Sequence, residues 1–315
     1  MKNTIKHFLQ LTVVLCIALV NTGFAQMETL VDVTRNFSGI EKVEVSGGSL
    51  EISYTGRSSS NEVEVEAYLE STNNEQDIIF ITVGNVLKIS HKMNNNNRNN
   101  WSNSRTKGHI RIQGPKEMEL EMTGGSGSVK AENVSGSSTY LSVGSGSIVA
   151  NNISGDLFAK AGSGSIKIDK VDGDVEGKVG SGSTTIRNVD GNLKYSSGSG
   201  GINASDIMGT ANISLTSGNA KLENIGELGA VKITSGNLNA NNAGLGEATS
   251  LNGTSGNIKI KTPSDLREYN YNLSATSGNI TVGNSRGGKN LAIDNGAERN
   301  IKGSVTSGNI SITNN

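Results

Sequence analysis

Apolar and polar residues alternate in short runs along the C-terminal two-thirds of the chain, and these runs return at a fixed spacing. One apolar position is filled in turn by Ile148, Ile166, Thr184, Ile202, Ala220, Leu238, Ile258, Ile280 and Ile310. Two residues further on stand Ala150, Ile168, Ile186, Ala204, Leu222, Ala240, Ile260, Val282 and Ile312. Alternation with a period of two predicts β-strands that each bury one face. The recurrence predicts that equivalent strands stack into columns.

A tripeptide, Ser-Gly-Ser or Ser-Gly-Asn and once Ser-Gly-Gly, precedes most of these runs. Its glycines are Gly127, Gly146, Gly164, Gly182, Gly200, Gly218, Gly236, Gly256, Gly278 and Gly308. Five consecutive spacings between them are 18 residues, and the last three are 20, 22 and 30. The pattern predicts an all-β fold, a single-stranded β-helix (β-solenoid) with about 18 residues per coil. The longer final spacings predict loops inserted between successive coils.

A second set of glycines divides each coil in two. Gly155, Gly173, Gly191 and Gly209 each fall nine residues after a corner glycine. We therefore expect two short strands per coil, joined by two tight turns in which glycine relieves backbone strain. The residue after the corner glycine changes from serine in the early coils to asparagine at Asn219 and beyond. Stacked asparagines predict a hydrogen-bonded ladder along the corner.

Residues 26–122 lack the tripeptide but keep the alternation, for example at Val43-x-Val45 and Ile110-x-Ile112. We interpret this part as irregular coils that cap one continuous domain with the regular coils of 123–315. Residues 94–105 form an Asn-rich insert that holds Trp101, the only tryptophan, with Arg98 and Arg105. The insert is either a low-complexity loop or a contact tip for a sugar or a protein.

Composition and the N-terminus limit the function. The 315 residues include 41 glycines but only 4% aromatic residues, too few large side chains for an ordinary globular core. Residues 1–25 read as a signal peptide, with Lys2 and Lys6 before an apolar stretch and small residues ahead of Gln26. Cleavage would leave 26 basic and 29 acidic residues, a net charge of −3. This charge excludes a basic surface for nucleic acid.

The remaining sequence offers no thiol and no second membrane-spanning candidate. Cys16, the only cysteine, lies inside the apolar stretch of the signal. Leu15 stands where a lipoprotein signal requires a small residue, so the plain signal is the better interpretation. After cleavage no further apolar run is long enough to cross a membrane.

The repeat style resembles a known bacterial family. Phe37-Ser38-Gly39-Ile40, then Val43-Glu44-Val45, then the stacked Ser-Gly-Ser-Ile and Ser-Gly-Asn-Ile units resemble the auto-transporter adhesin, head GIN domain family and related β-strand-repeat proteins of unknown function. The resemblance covers about residues 30–313. It implies a right-handed β-helix similar to pectin-lyase-like folds but without their catalytic residues, and a role in cell adhesion.

Four aspartates are the best candidates for site chemistry. Asp172 and Asp190 share one column and Asp156 and Asp174 share another, all at the same turn. Stacked carboxylates about 5 Å apart would suit a weak calcium site or a retaining glycosidase pair. Aspartates beside glycines are also the ordinary occupants of solvated turns, which is the preferred interpretation. His91 and His109 have no further ligand types near them in sequence, so we expect isolated, solvated histidines.

The sequence therefore predicts an exported, non-enzymatic structural or binding module of the cell envelope, without a cofactor. It would sit in the periplasm or on the outer cell surface and contact an envelope protein or a glycan. Two alternatives stay open: a polysaccharide-degrading β-helix enzyme that uses the aspartates, and a periplasmic envelope-stress scaffold.

Overall fold

The computed structural model describes residues 26–93 and 105–315, and within these residues it contains β-strands and no α-helix. The 22 strands form one sheet that winds into a solenoid-like stack. A single turn of 3-10 helix spans Leu266–Glu268. Within the same residues, no helix has the length and apolar character needed to cross a membrane.

The strand bounds follow the chain. The N-terminal strands are β1 (Glu28–Ser38), β2 (Lys42–Gly48), β3 (Glu51–Arg57), β4 (Glu62–Ser71), β5 (Gln76–Val83), β6 (Val86–Met93), β7 (Thr106–Pro115), β8 (Glu119–Gly124) and β9 (Val129–Val134). The central strands are β10 (Ser138–Val143), β11 (Ser147–Ser154), β12 (Asp156–Ala161), β13 (Ser165–Asp172), β14 (Val175–Val189), β15 (Leu193–Ser255) and β16 (Ile258–Thr262). The C-terminal strands are β17 (Tyr269–Ser277), β18 (Ile280–Val282), β19 (Ser285–Gly287), β20 (Asn290–Ile293), β21 (Arg299–Ser307) and β22 (Ile310–Asn314).

The central strands pair in parallel with the equivalent strand of the next coil. Leu157 of β12 lies opposite Val175 of β14, and Val175 lies opposite Leu193 of β15. The other side of the coil repeats this register from β9 through β11 and β13 to β14. Parallel in-register pairing stacks each residue on its equivalent, as the recurring sequence pattern predicted.

The predicted apolar columns form the core. Both columns named in the sequence are buried in full, including Thr184, the polar exception. Tyr195 explains that exception, because its hydroxyl donates a hydrogen bond to Thr184 Oγ1 at 3.0 Å. Gly177 lies one coil before Tyr195, and a Cβ there would stand 3.0 Å from the Tyr195 ring. The missing side chain at Gly177 therefore makes room for the large ring that follows it.

The corner glycines are packed against one another's backbone. A Cβ on Gly182 would overlap the carbonyl oxygen of Gly164 in the previous coil, and a Cβ on Gly200 would overlap that of Gly182. Gly182 also has a φ of +152° and Gly236 a φ of +135°, which side chains rarely adopt. The repeat of glycine at this corner is thus required by the close approach of successive coils.

Each coil has a third bend that the two-turn prediction missed. A non-glycine residue in the left-handed conformation recurs in successive coils, at Asn133, Asn152, Lys170, Asn188, Asp206, Asn224 and Asn242. Asparagine and aspartate tolerate this conformation better than other side chains do. Their side chains also bond along the stack, since Asn224 Nδ2 donates to Asp206 Oδ1 at 2.8 Å. The signal for this bend in the sequence was the recurrence of asparagine at the spacing of one coil.

The first coils are not stacked in chain order. β2 pairs in parallel with β8 on one side and with the later strand β6 on the other. In the same way β3 lies between β9 and β7. The outermost coil is therefore β6–β7, and antiparallel strands cover its edges: β5 on β6, and β4 on β7. β1 then pairs with the outer side of β4.

The last coils are also interleaved, so the expected sequential stacking of Ile258, Ile280 and Ile310 was wrong. Ile310 of β22 lies between Ile258 of β16 and Ile280 of β18. Likewise β21 lies between β15 and β17. The long final spacings do hold extra strands, β19 and β20, which pair antiparallel with β18 and β17 and cover the outermost coil. The strands of the outermost coil at each end are therefore paired on both sides, and the unpaired edges lie on the antiparallel strands outside them.

Candidate functional site

The acidic corner carries a hydrogen-bond ladder. Asp174 N donates to Asp156 Oδ1 at 3.1 Å, and Asn192 N donates to Asp174 Oδ1 at 2.7 Å. One coil further, Thr210 N donates to Asn192 Oδ1 at 2.9 Å. The side-chain oxygen of each coil thus satisfies a backbone donor of the next one. The side chains of Asp156 and Asp174 therefore have a structural role, and Asn192 fills the same role in the next coil.

Asp172 and Asp190 are separated from the ladder residues Asp174 and Asn192 by Gly173 and Gly191 of the second glycine set. Asp172 ends β13 and faces Ser154 in the parallel register, while Asp190 follows β14. Both side chains are exposed, and their backbones bond between coils: Gly155 N donates to Asp172 O at 2.7 Å, and Asp190 N to Val171 O at 2.9 Å. The fold brings all four predicted aspartates to one corner. Among the described residues, no group of three or more acidic, histidine or cysteine side chains is arranged to hold a metal ion.

A cleft of about 450 Å³ opens along the stack beside this corner. Two outward columns line it. The first contains Ser138, Asp156, Asp174 and Asn192, and the second contains Tyr140, Phe158, Glu176, Lys194 and Asn212. The cleft thus follows five successive coils, or about 19 Å at the usual strand spacing.

Tyr140 and Phe158 are the distinctive residues of the cleft. They lie opposite each other on β10 and β12, with ring centroids 4.9 Å apart and planes inclined by 5°. Both rings occupy outward positions and stay half-buried. Sequence reasoning missed this pair, although two aromatic residues at equivalent positions of neighbouring coils were the available signal.

Charged side chains continue the second column on both sides of the aromatic pair. Beyond Phe158, Lys194 Nζ lies 3.2 Å from Glu176 Oε2. On the other side, Lys42 bridges Glu44 at 2.8 Å and Glu121 at 3.3 Å, and Lys88 contacts Glu44 at 2.6 Å. The hydrogen bond from Lys42, followed by that from Lys88, lowers the pKa of Glu44. The aromatic pair is therefore an apolar step in an otherwise charged row.

The predicted contact tip falls mostly outside the described residues. Trp101 and Arg98 lie in residues 94–104, which the structure does not describe. Residues 1–25, the predicted signal peptide, also lie outside the described residues. Arg105 is described: its side chain is exposed, its N donates to Thr72 Oγ1 at 3.0 Å, and its O accepts from Ser71 Oγ at 3.0 Å. These two hydrogen bonds hold the backbone of Arg105 to the end of β4.

A buried polar network adjoins Arg105. Gln76 Nε2 donates to Ser71 Oγ at 2.9 Å and to Thr106 Oγ1 at 3.0 Å, and Gln76 Oε1 lies 2.9 Å from His91 Nε2. Burial lowers the pKa of His91, partly offset by a hydrogen bond with the Gly47 backbone. His91 is therefore not the solvated histidine that was expected.

His109 also differs from that expectation. It is half-buried, stacks on Tyr68 at 5.8 Å between ring centroids, and places Nε2 3.0 Å from Glu66 Oε1. Arg111 Nη1 contacts the same carboxylate oxygen at 3.1 Å. The hydrogen bond from His109 lowers the pKa of Glu66. Both histidines thus hold strands together by pairing with side chains of neighbouring strands.

The sequence model of one family matches most of the chain: the family described as Toastrack DUF4097 matches residues 58–313. The chain belongs to this family. The family is a domain of unknown function with a β-solenoid-like fold, as the stacked sheet described above also shows. The head GIN domain resemblance stays a prediction. No curated protein matches the sequence.

Two solved structures are similar to this chain over most of its length. One is described as a "putative cell adhesion protein" from Clostridium sporogenes ATCC 15579, with 10% identity, a TM-score of 0.22, and coverage of 90% of this chain and 100% of that one. The other is described as a "putative adhesin" from Bacteroides fragilis NCTC 9343, with 14% identity, a TM-score of 0.31, and coverage of 92% and 97%. TM-scores this low carry no argument about function.

Proposed function

We propose that the chain is an exported, non-enzymatic, adhesin-like binding module of the cell envelope that contacts a glycan or a protein through the outward side of its β-helix. The observation that carries the proposal is the open cleft along five coils, which offers aromatic, acidic and amide side chains on a rigid backbone. Such a surface suits an extended partner.

The solenoid provides the mechanism of binding. Parallel stacking repeats each outward position at one strand spacing, about 4.8 Å, so contacts to an extended ligand can be made in register. Individual contacts of this kind are weak, and their combined strength comes from the rigid arrangement. Antiparallel strands cover the coils at both ends of the stack.

The aspartates support binding over catalysis. Asp156 Oδ1 and Asp174 Oδ1 each accept a backbone N–H of the next coil, so these carboxylates stabilise the corner. The competing enzyme hypothesis predicts glycan cleavage that Asp172→Asn or Asp190→Asn abolishes. Incubation of the protein with a broad panel of neutral and acidic polysaccharides, with and without calcium, tests it. If the unsubstituted protein cleaves a polysaccharide and either substitution abolishes that cleavage, our proposal is wrong and the enzyme hypothesis takes its place.

Export and location are tested by protease shaving of intact cells. We expect external protease to remove the protein while a periplasmic control survives, since an adhesin-like module must face outwards. Protection until the envelope is opened would contradict surface display and favour the periplasmic scaffold. N-terminal sequencing of the mature protein tests the expected cleavage before Gln26.

The architecture included in this proposal is one continuous domain. Residues 26–122 would cap the regular coils of 123–315, which is supported by the pairing of β2 and β3 with β8 and β9. The coils would have about 18 residues each, which is supported by the register between Leu157, Val175 and Leu193. Their right-handedness is what the head GIN domain resemblance implies. An experimental structure with a left-handed coil or another repeat length would overturn this part.

A further inference from the structure

The geometry points to the cleft beside Tyr140 and Phe158 as a binding site for a neutral glycan, with the sugar rings packed on the aromatic pair and their hydroxyls bonded to Asp156 and Asp174. This inference rests on the proposed function and deepens it, because it names the ligand class and the site. Its support comes from the aromatic pair, the polar groups around it and the charge of the cleft.

The aromatic pair presents apolar surface at outward positions of the solenoid. Equivalent positions of the neighbouring coils hold Glu121, Glu176 and Lys194, so the coil packing itself does not require aromatic rings there. Stacking on each other covers one face of each ring and leaves the rest of the half-buried rings in the cleft. Flat apolar surface with polar neighbours is what the C–H face of a sugar ring packs on.

Polar groups beside the rings have unused hydrogen-bonding capacity. Asp156 Oδ1 takes part in the ladder, but within the described structure Asp156 Oδ2 has no hydrogen-bond partner. Asp174 Oδ2 has only a long contact of 3.4 Å from Asn192 Nδ2. Carboxylate oxygens next to an apolar surface are suitable acceptors for sugar hydroxyls.

The charge of the cleft selects against acidic sugars. Asp156, Asp174 and Glu176 contribute three negative charges, and Lys194, paired with Glu176, contributes the only positive charge among the lining residues. A uronate or sulfate group in this cleft would meet like charge, which is unfavourable. Among glycans, a neutral polysaccharide that lies along the stack avoids this repulsion.

The test is a binding measurement with immobilised hexasaccharides of glucose, xylose, mannose and N-acetylglucosamine, and with polygalacturonate and hyaluronan hexamers as acidic probes. We expect the full protein to bind at least one neutral hexamer. Phe158→Ser should weaken that binding about tenfold, the amount expected for loss of an aromatic contact. Phe158→Tyr should retain binding, and Asn239→Ser, on another outward column, is the matched control.

The Asp174→Asn variant should keep the fold of the unsubstituted protein. The asparagine oxygen can accept the Asn192 N–H as Asn192 itself does for the next coil, so the ladder should stay intact. We expect neutral binding to weaken by about threefold, because the carboxylate oxygen left over by the ladder becomes an amide N–H donor. Binding of polygalacturonate should improve, because a negative charge is lost. Circular dichroism of each variant separates lost binding from lost folding.

Three outcomes would overturn the inference. Neutral binding that Phe158→Ser leaves unchanged places the glycan elsewhere while the proposed binding function stands. Binding of acidic hexamers alone contradicts the charge argument. Absence of glycan binding by a protein that shaving shows on the cell surface refutes the cleft inference without refuting the proposed function, and directs the search to protein partners.

Discussion

Replacement of Gly182 by alanine should destabilise the protein strongly, because the corner leaves no volume for a Cβ. The added methyl would overlap the carbonyl oxygen of Gly164, which is backbone and cannot rotate away. Gly182 also has a φ of +152°, a conformation that costs a side-chain-bearing residue about 1–3 kcal/mol. Overpacking a rigid site costs a further ~1–3 kcal/mol. We therefore expect a loss of roughly 2–6 kcal/mol in the free energy of unfolding.

The assay is urea unfolding of the purified protein, followed by far-ultraviolet circular dichroism. Stacked repeats do not always unfold in a single cooperative step, so the dependence on urea must be equal in both proteins before the free energies are compared. Gly288→Ala is the control, because a Cβ at that exposed position has nothing within 4 Å. It should change the free energy of unfolding by less than about 0.5 kcal/mol.

Gly201→Ala supplies an intermediate point in the series. Its Cβ would lie 3.0 Å from the Asn219 carbonyl oxygen, a close contact without the overlap found at Gly182. Stability losses should therefore increase from Gly288 to Gly201 to Gly182. If the Gly182→Ala protein is no less stable than the Gly288→Ala protein, successive coils do not approach as closely at this corner as the structure indicates. The steric explanation of the glycine repeat would then be wrong.

Three further perturbations test other parts of the fold. Asn237→Ala removes the oxygen that accepts both the backbone N–H and the side-chain amide of Asn257 at 3.1 Å. It should lower the free energy of unfolding in urea by about 1–2 kcal/mol. A loss no larger than that of the Gly288→Ala control would mean that the ladder does not contribute to stability. Burial lowers the pKa of His91 in the folded protein, so the unfolded chain binds more protons and the free energy of unfolding should fall as the pH drops below about 6.5. His91→Gln should remove that part of the pH dependence of the melting temperature. An unchanged pH profile in this variant would contradict the assignment to His91. Millimolar calcium should leave the melting temperature unchanged, because among the described residues no group of three or more possible ligand side chains is arranged to hold a metal ion. A saturable rise that Asp174→Asn abolishes would instead establish the calcium site.

The regular part of the fold could be predicted because each repeated residue contacts its own equivalent. A position that packs on itself in the next coil must satisfy the same steric and hydrogen-bonding conditions every time. Glycine therefore recurs where backbones meet, and apolar residues recur where strands face inwards. The asparagine ladder follows in the same way: Asn237 N donates to Asn219 Oδ1 at 3.0 Å, much as Asn257 N donates to Asn237 Oδ1.

The ends of the stack could not be predicted, because chain order does not fix which strands pair there. Asn309 N donates to Asn257 Oδ1 at 3.1 Å, and Asn279 N donates to Asn309 Oδ1 at 2.9 Å, so the ladder skips forward by 52 residues and then returns. Spacing gave the lengths of the insertions but not their partners. Pairing the last strands on both sides leaves no free edge at the chain end, an advantage that depends on the whole sheet.

The candidate cleft escaped prediction for the opposite reason. Its residues depart from the repeat: Tyr140 and Phe158 are followed by Glu176 and Lys194 at equivalent outward positions, and no packing condition links them. In a solenoid, the residues that recur are those that the stack needs for its own stability. Outward residues that change from coil to coil are released from that requirement, so an unusual group among them needs another explanation. The aromatic pair is such a group, and binding is the explanation that its chemistry supports.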